Sequence, residues 1–391
     1  MTTALITPHL LRWARDRAGL SPEGAAKGIT TLDKWEAWET GDSRPSFKQA
    51  LDLAKKLHVP FGYLFLSSPP TETIPLPDLR TVSDRPPGSY SVDFLDTLYD
   101  SLRKRQWYHE YQEEEGSKAL PFVGCASPTR SAPEIAALVR ETLGINADLR
   151  QSARDPDAFL RRLVGRAEGA GILVLRSGVV GSNTRRPLDP KEFQGFAISD
   201  PMAPLVFVNG RDWQAAQVFT LVHELAHLWI GASGISNLDY WRRSADQTHP
   251  IERLCDRVAA ETLLPSEDVM RKWRGGDVDA NLDAFRMSYK VSAFVVLRQA
   301  YENSRIDDDQ YRDARERLRT QVKPRRDDKP SGGNADANLL SRNSSRFTWA
   351  LLTATAEGRV SALDAARLLN ISVRAMDNAY KRLMDKEGPG A

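Results

Sequence analysis

A chain of 391 residues is longer than one hydrophobic core ordinarily organises, so more than one domain is expected. With 41% apolar and 27% charged residues it is neither a disordered nor a fibrous sequence. Its 54 Lys and Arg against 52 Asp and Glu, a formal net charge of +2, exclude a global field that would hold a nucleic acid or an anionic membrane, so any such binding must be local. The two cysteines, Cys125 and Cys255, lie far apart without a partner motif, which excludes a disulfide framework and a four-cysteine zinc module and suits a reducing compartment. Met1 to Pro8 has no basic leader and no stretch approaches the roughly 20 apolar residues of a membrane span. A cytoplasmic protein is expected, with no membrane partner.

Residues 1–66 read as short helices broken at Gly19-Leu-Ser-Pro22, Gly41-Asp-Ser-Arg-Pro45 and Val59-Pro60. Ser21-Pro22 and Pro45-Ser46 look like helix starts. A proline-rich connector follows, Ser67-Ser-Pro-Pro to Arg85-Pro-Pro-Gly88, with neither helical nor strand period. From Val92 to Glu115 apolar residues recur at near-helical spacing, predicting one long helix that ends at Gly116; connector and helix together span 67–130. Two more helices are predicted over 133–143 and 157–167. The period then changes to that of strands over 171–176, 193–198 and 205–208, which predicts a small mixed sheet. Asp212 to Ile230 and Ile251 to Leu264 read as helices, the second closed by Pro265. Further helices fill 266–321, completing a domain over 131–321; a polar flexible linker is expected over 322–344 and a helical module over 345–391. The fold class is α+β, mostly helical.

His223-Glu-Leu-Ala-His227 is the most informative pentapeptide. Histidines four apart lie about 40° apart on one helix face, one turn along it, so both imidazoles can reach one ion. Glu224 sits a step round the helix, where its carboxylate can approach a nucleophilic water without displacing a ligand, as a general base requires. A catalytic zinc takes three protein ligands, and His249, Glu252, Asp256 and Glu261 compete for the third place. On the 251–264 helix Glu252, Asp256, Ala259 and Leu263 share one face, whereas Glu261 is about 180° from Glu252. Glu252 is therefore the expected ligand, with Asp256 one turn on as acceptor for a ligand-histidine N–H. His249 reads as a loop residue near the site, Cys255 as a buried side chain, and Tyr240 and Trp241 as aromatics in the loop between the two helices.

At these residues the chain resembles the ImmA/IrrE family of metallopeptidases. The resemblance is carried by Phe193-Gln-Gly-Phe-Ala-Ile-Ser-Asp200, Pro204 to Gly210, Phe219-Thr-Leu-Val-His-Glu-Leu-Ala-His227, and Ile251-Glu252 through Ala259 to Leu263-Leu-Pro265. It covers at least 130–320 and departs from the family's usual Ala at Cys255 and its frequent Asn at Asp256. It implies His223, His227 and Glu252 as Zn2+ ligands and Glu224 as catalytic base. It also implies site-specific cleavage of a repressor or antitoxin-like regulatory protein, in stress response or mobile-element control.

Leu10 to Leu66 resembles a helix-turn-helix of the XRE repressor type, through Gly19-Leu-Ser-Pro-Glu-Gly-Ala-Ala26, Leu32-Asp-Lys-Trp-Glu-Ala-Trp-Glu-Thr-Gly41 and Arg44-Pro-Ser46. Trp35 reads as core. The helix that would enter DNA sets Asp33, Glu36 and Glu39 against Lys34, and like charge opposes tight phosphate binding. Docking of a protein partner and a weak DNA contact both stay open for residues 1–66. The expected activity is zinc-dependent endopeptidase; the rival is a DNA-binding or antitoxin-like regulator whose zinc-binding unit is a scaffold without turnover.

Overall fold

The computed structural model of the protein describes residues 3–71, 74, 76, 77, 90–236, 249–321 and 334–386. Tyr240, Trp241, most of the proline-rich connector and the linker residues 322–333 lie outside them. The chain divides into two compact units, Met1–Pro75 with Gly88–Asp96, and Leu76–Pro87 with Thr97–Ala391. No helix among the described residues is long and apolar enough to cross a membrane.

The first unit holds α1 (Pro8–Arg17), α2 (Pro22–Ala26), α3 (Leu32–Thr40) and α4 (Phe47–Lys56), then a short 3-10 turn over Phe61–Phe65. The local chemistry explains the boundaries. Ser21 accepts the Gly24 N–H at 3.1 Å just before Pro22, and Ser46 with Gln49 forms a reciprocal capping box at the start of α4. Gly41 ends α3 in the left-handed region, which a residue with a Cβ adopts only under strain. Trp35 is fully buried, in a core with Leu11, Leu53 and Leu57. The charge count on α3 needs one correction: Glu39 does not face solvent but is buried, accepting the Arg15 Nε–H at 2.7 Å. Its charge is thus neutralised inside the unit, leaving Asp33 and Glu36 beside Lys34 on the exposed face.

In the second unit the long α5 (Val92–Glu114), which begins in the first, is followed by α6 (Ala132–Leu143), α7 (Ala147–Gln151) and α8 (Pro156–Gly169). A four-stranded sheet has the order β1-β5-β4-β6, built from β1 (Leu173–Ser177), β4 (Gly195–Ile198), β5 (Leu205–Asn209) and β6 (Gly234–Ser236), and β2 (Val179–Val180) pairs with β3 (Asn183–Pro187) in a separate hairpin. β1 and β5 are parallel; β4 runs antiparallel to both β5 and β6. The mixed sheet is as the strand-like runs predicted, but β3 and β6 escape such a reading: β3 is polar and exposed, and β6 has three residues with Ile235 as its one large apolar side chain.

Helix α9 (Gln214–Ile230) lies on this sheet and α10 (Pro250–Leu263) packs on α9 and α6. From Gln217 to Ile230 every residue of α9 is buried, so this helix forms the centre of the core rather than one wall of it. The faces of the sheet divide by the period of two: Phe196 and Phe207 stack with centroids 4.9 Å apart on one side, while small residues, Gly195 and Ala197, point toward α9 on the other. Helices α11 (Ser266–Lys272), α12 (Val278–Tyr289), α13 (Ala293–Glu302) and α14 (Asp308–Gln321) complete that core.

The flexible linker expected over 322–344 is corrected in its last part. Ala335–Asn343 forms α15, capped by Asn334 and packed on β1, with the Ser341 hydroxyl 3.3 Å from the Arg176 carbonyl oxygen. It is held by hydrogen bonds and by one buried leucine, Leu339, rather than by an apolar stripe, so it carries little helical signal in its sequence. The remaining helices α16 (Ser345–Ala356), α17 (Ala362–Leu368) and α18 (Val373–Lys386) bury apolar side chains, among them Phe347, Leu351, Leu352, Met376 and Leu383, and polar contacts add to this. Half-buried Glu168 on α8 accepts the Ser344 hydroxyl at 2.6 Å and the Ser345 N–H at 2.7 Å, and Arg382 of α18 makes a bidentate pair with Asp336 of α15.

Candidate metal centre

Packing of α10 on α9 turns a local helical pattern into a three-dimensional site. His223 and His227 point from one face of α9, and Glu252, in the first turn of α10, reaches between them: one carboxylate oxygen lies 3.3 Å from His223 Nε2 and the other 3.0 Å from His227 Nε2. The three side chains offer donor atoms that all fall within 4.8 Å of one another, and all three are buried. The far side of each ring is also held. Asp256, one turn beyond Glu252, places an oxygen 2.9 Å from His223 Nδ1, and the Ala232 carbonyl lies 3.1 Å from His227 Nδ1. Both acceptors favour the proton on Nδ1, so both Nε2 lone pairs face the same point, where the two nitrogens stand 3.2 Å apart.

Electrostatics say what that point requires. Glu224, Glu252 and Asp256 are all buried, and three desolvated carboxylates beside two imidazoles call for a compensating positive charge. In the chain alone, burial opposes charge on His223, yet Glu252 and Asp256 more than reverse this and hold the imidazolium well above its ordinary pKa. Burial likewise works against the Glu252 carboxylate, but the two histidines keep it far below the usual carboxylate range. Glu224 is the exception. Its pKa is pushed up to about 8, chiefly by burial, with His223 pulling it down and Glu252 pushing it further up. The Ser236 hydroxyl also pulls it down, more weakly, and Asp256 adds to the rise. Two nitrogen lone pairs facing one point and a bridging carboxylate form a donor set of the kind that suits a divalent ion such as zinc, with the buried Glu224 acid beside it.

A comparison with known families meets this geometry. Residues 167–301 match the family model of the IrrE N-terminal-like domain, in peptidase family M78. No curated protein matches the chain. The matched IrrE-like region runs from the end of α8 to α13, and so contains the sheet, both helices and all five residues of the centre, but neither residues 1–66 nor α14 and the helices after it. It supports a metallopeptidase of the ImmA/IrrE type.

The other residues weighed in the sequence are placed elsewhere. His249 caps α10, its Nδ1 accepting the Ile251 N–H at 3.3 Å, and stays exposed. Glu261 faces away and accepts the Ser266 hydroxyl at 2.6 Å. Cys255 is fully buried, and burial pushes its thiol well up.

Three contributors to the IrrE-like site carried no readable signal, because two act through backbone or absent atoms and one sits on the short β6. Ser236 places its hydroxyl 3.5 Å from both His227 Nε2 and Glu252 Oε1. Gly231 ends α9 in the left-handed region at φ 76°, folding the chain back so that the Ala232 carbonyl meets His227. A Cβ there would also stand 3.0 Å from the Gly124 Cα. Gly231→Ala is therefore expected to lower unfolding free energy by about 2 kcal/mol, read by chemical denaturation. Gly195 is the third: a Cβ on it would come within 2.6 Å of Glu224 Oε1 and 2.8 Å of the Phe207 carbonyl oxygen. Gly195→Ala is expected to cost about 1–3 kcal/mol of stability and to displace the Glu224 carboxylate, so that zinc content survives while turnover falls.

Proposed function

We propose that the chain is a zinc-dependent endopeptidase that cleaves a repressor or antitoxin-like regulatory protein at a specific site. The observation that carries this reading is the convergence of His223 Nε2, His227 Nε2 and the Glu252 carboxylate, with the buried Glu224 acid beside them. His223, His227 and Glu252 would hold the ion, which when bound supplies Lewis-acid polarisation of the scissile carbonyl and lowers the pKa of water. Asp256 and the Ala232 carbonyl keep the two imidazoles in the tautomer and orientation that ligation needs. Glu224 takes a proton from the attacking water on a carboxylate oxygen and returns it to the leaving amine nitrogen; desolvation makes it a stronger base than a solvated glutamate. Gly195 keeps that carboxylate uncrowded.

The test is a comparison of newly formed protein N-termini in cells carrying the wild-type chain or Glu224→Gln. A single cleavage in one regulatory protein, present only with the wild type, is the expected outcome. A zinc-loaded wild-type chain that exerts its regulatory effect with no Glu224-dependent cleavage would overturn the proposal in favour of a non-catalytic regulator.

A further inference from the structure

Strand β6 is an edge of the four-stranded sheet, and it ends at the metal centre. Its last residue, Ser236, sets its hydroxyl 3.5 Å from both His227 Nε2 and Glu252 Oε1. In an antiparallel pair the backbone groups of successive residues turn alternately toward and away from the partner strand. The Ser236 carbonyl faces inward, accepting the Gln194 N–H at 3.3 Å, so Ile235 presents its N–H and carbonyl on the outer side. Such an edge is a template on which an extended peptide adds as a further strand. A peptide paired there passes one residue from Ser236, and so runs beside the residues that would hold the ion.

That outer position is already taken by the chain itself. Ile235 donates its N–H to the Pro77 carbonyl at 3.2 Å, and the adjoining Leu76 is only 8% exposed. Both residues come from the proline-rich connector, yet both belong to the second unit. The residue types limit the hold. A residue paired antiparallel with Ile235 exchanges two hydrogen bonds with it, but proline has no N–H to return to the Ile235 carbonyl. An incoming strand with any other residue at that place makes both bonds. Leu76 thus supplies a buried anchor and Pro77 half a rung, a cover that a peptide making the full rung can displace.

We propose that Leu76 and Pro77 fill the strand position of a peptide substrate at the edge of β6, so that the connector blocks the centre until a substrate strand displaces it. The proposal rests on the peptidase reading above, which makes the displacing strand a substrate. Leu76→Ser and Pro77→Ala are compared with the wild type as full-length zinc-loaded chains, each checked for folding by circular dichroism and for zinc content. Leu76→Ser, which loses the anchor, is expected to speed hydrogen exchange at the Ile235 amide at least about fivefold. Pro77→Ala, which restores the second bond, is expected to slow it at least about twofold. In cells, the Glu224-dependent cleavage product per unit of chain should rise with the first variant and fall with the second. Exchange unchanged in both variants overturns the proposal. Shifted exchange with equal product from all three chains also overturns it, because the cover then only protects the sheet edge. Absence of any Glu224-dependent product from the wild type and Leu76→Ser alike defeats the peptidase reading and the proposal with it, whereas equal product defeats the proposal alone.

Discussion

Glu224→Gln is expected to leave zinc bound and the fold intact while lowering peptide cleavage by about 10²–10⁴-fold, the range that general acid–base groups contribute. The same substitution should make the metal-stripped chain more stable. The wild-type carboxyl has its pKa raised to about 8 in the fold, principally by burial. Its ordinary value in the unfolded chain is about 4.3. Between these values the folded state holds a proton that the unfolded state has released, so wild-type stability falls as pH rises. Glutamine has no such dependence. The variant's advantage should therefore be absent below about pH 4, grow through neutrality and level off above about pH 8, reaching a few kcal/mol. Denaturant titrations of both metal-free chains at several pH values measure it. Equal pH profiles would show that Glu224 is solvated and not the buried acid described above. A neutral amide that improves the fold while abolishing turnover is the signature of a residue kept for chemistry at the expense of stability.

The second large effect concerns the metal. Glu252→Gln removes the one anionic donor between the two imidazoles and should weaken zinc binding by more than about 100-fold, since even partners outside the ligand set are worth 10–100-fold. Asp256→Asn should fall within that smaller range, because it alters only the acceptor at His223 Nδ1, 2.9 Å away. Competition against a chromogenic chelator gives both affinities. Zinc binding by Glu252→Gln as tight as wild type would remove Glu252 from the ligand set. The ordering of the two variants also separates ligand from support, which neither variant does alone.

How much of this was legible before the fold depends on how far apart the interacting groups lie in the chain. His223, Glu224 and His227 occupy one helical turn and a half, so the helical period alone places two rings on one face and the acid beside them. Glu252 lies on a different helix, and helical periodicity could say which face of that helix it shares with Asp256 and Ala259, but not that the face would meet α9. The β1, β4 and β5 runs were legible for a similar reason, being apolar on both sides or nearly so. Helix α15 was not, because its anchorage comes from Ser341, Asp336 and Asn343 bonding to partners far away in sequence.

By itself, then, the amino-acid order determined the helix that carries the histidines, the acid next to them, the capped starts of α2 and α4, and the mostly helical α+β character. Each rests on interactions within a few residues, where geometry follows from the helical or strand period. Tertiary packing alone decided the rest. It brought Glu252 within 3.3 Å of both imidazoles. It took Glu39 out of the exposed face of α3, set Ser236 and the Ala232 carbonyl against His227, and left at Gly195 the space that Glu224 occupies. These depend on burial, on backbone carbonyls and on missing side-chain atoms, and acquire meaning only when distant segments come into contact.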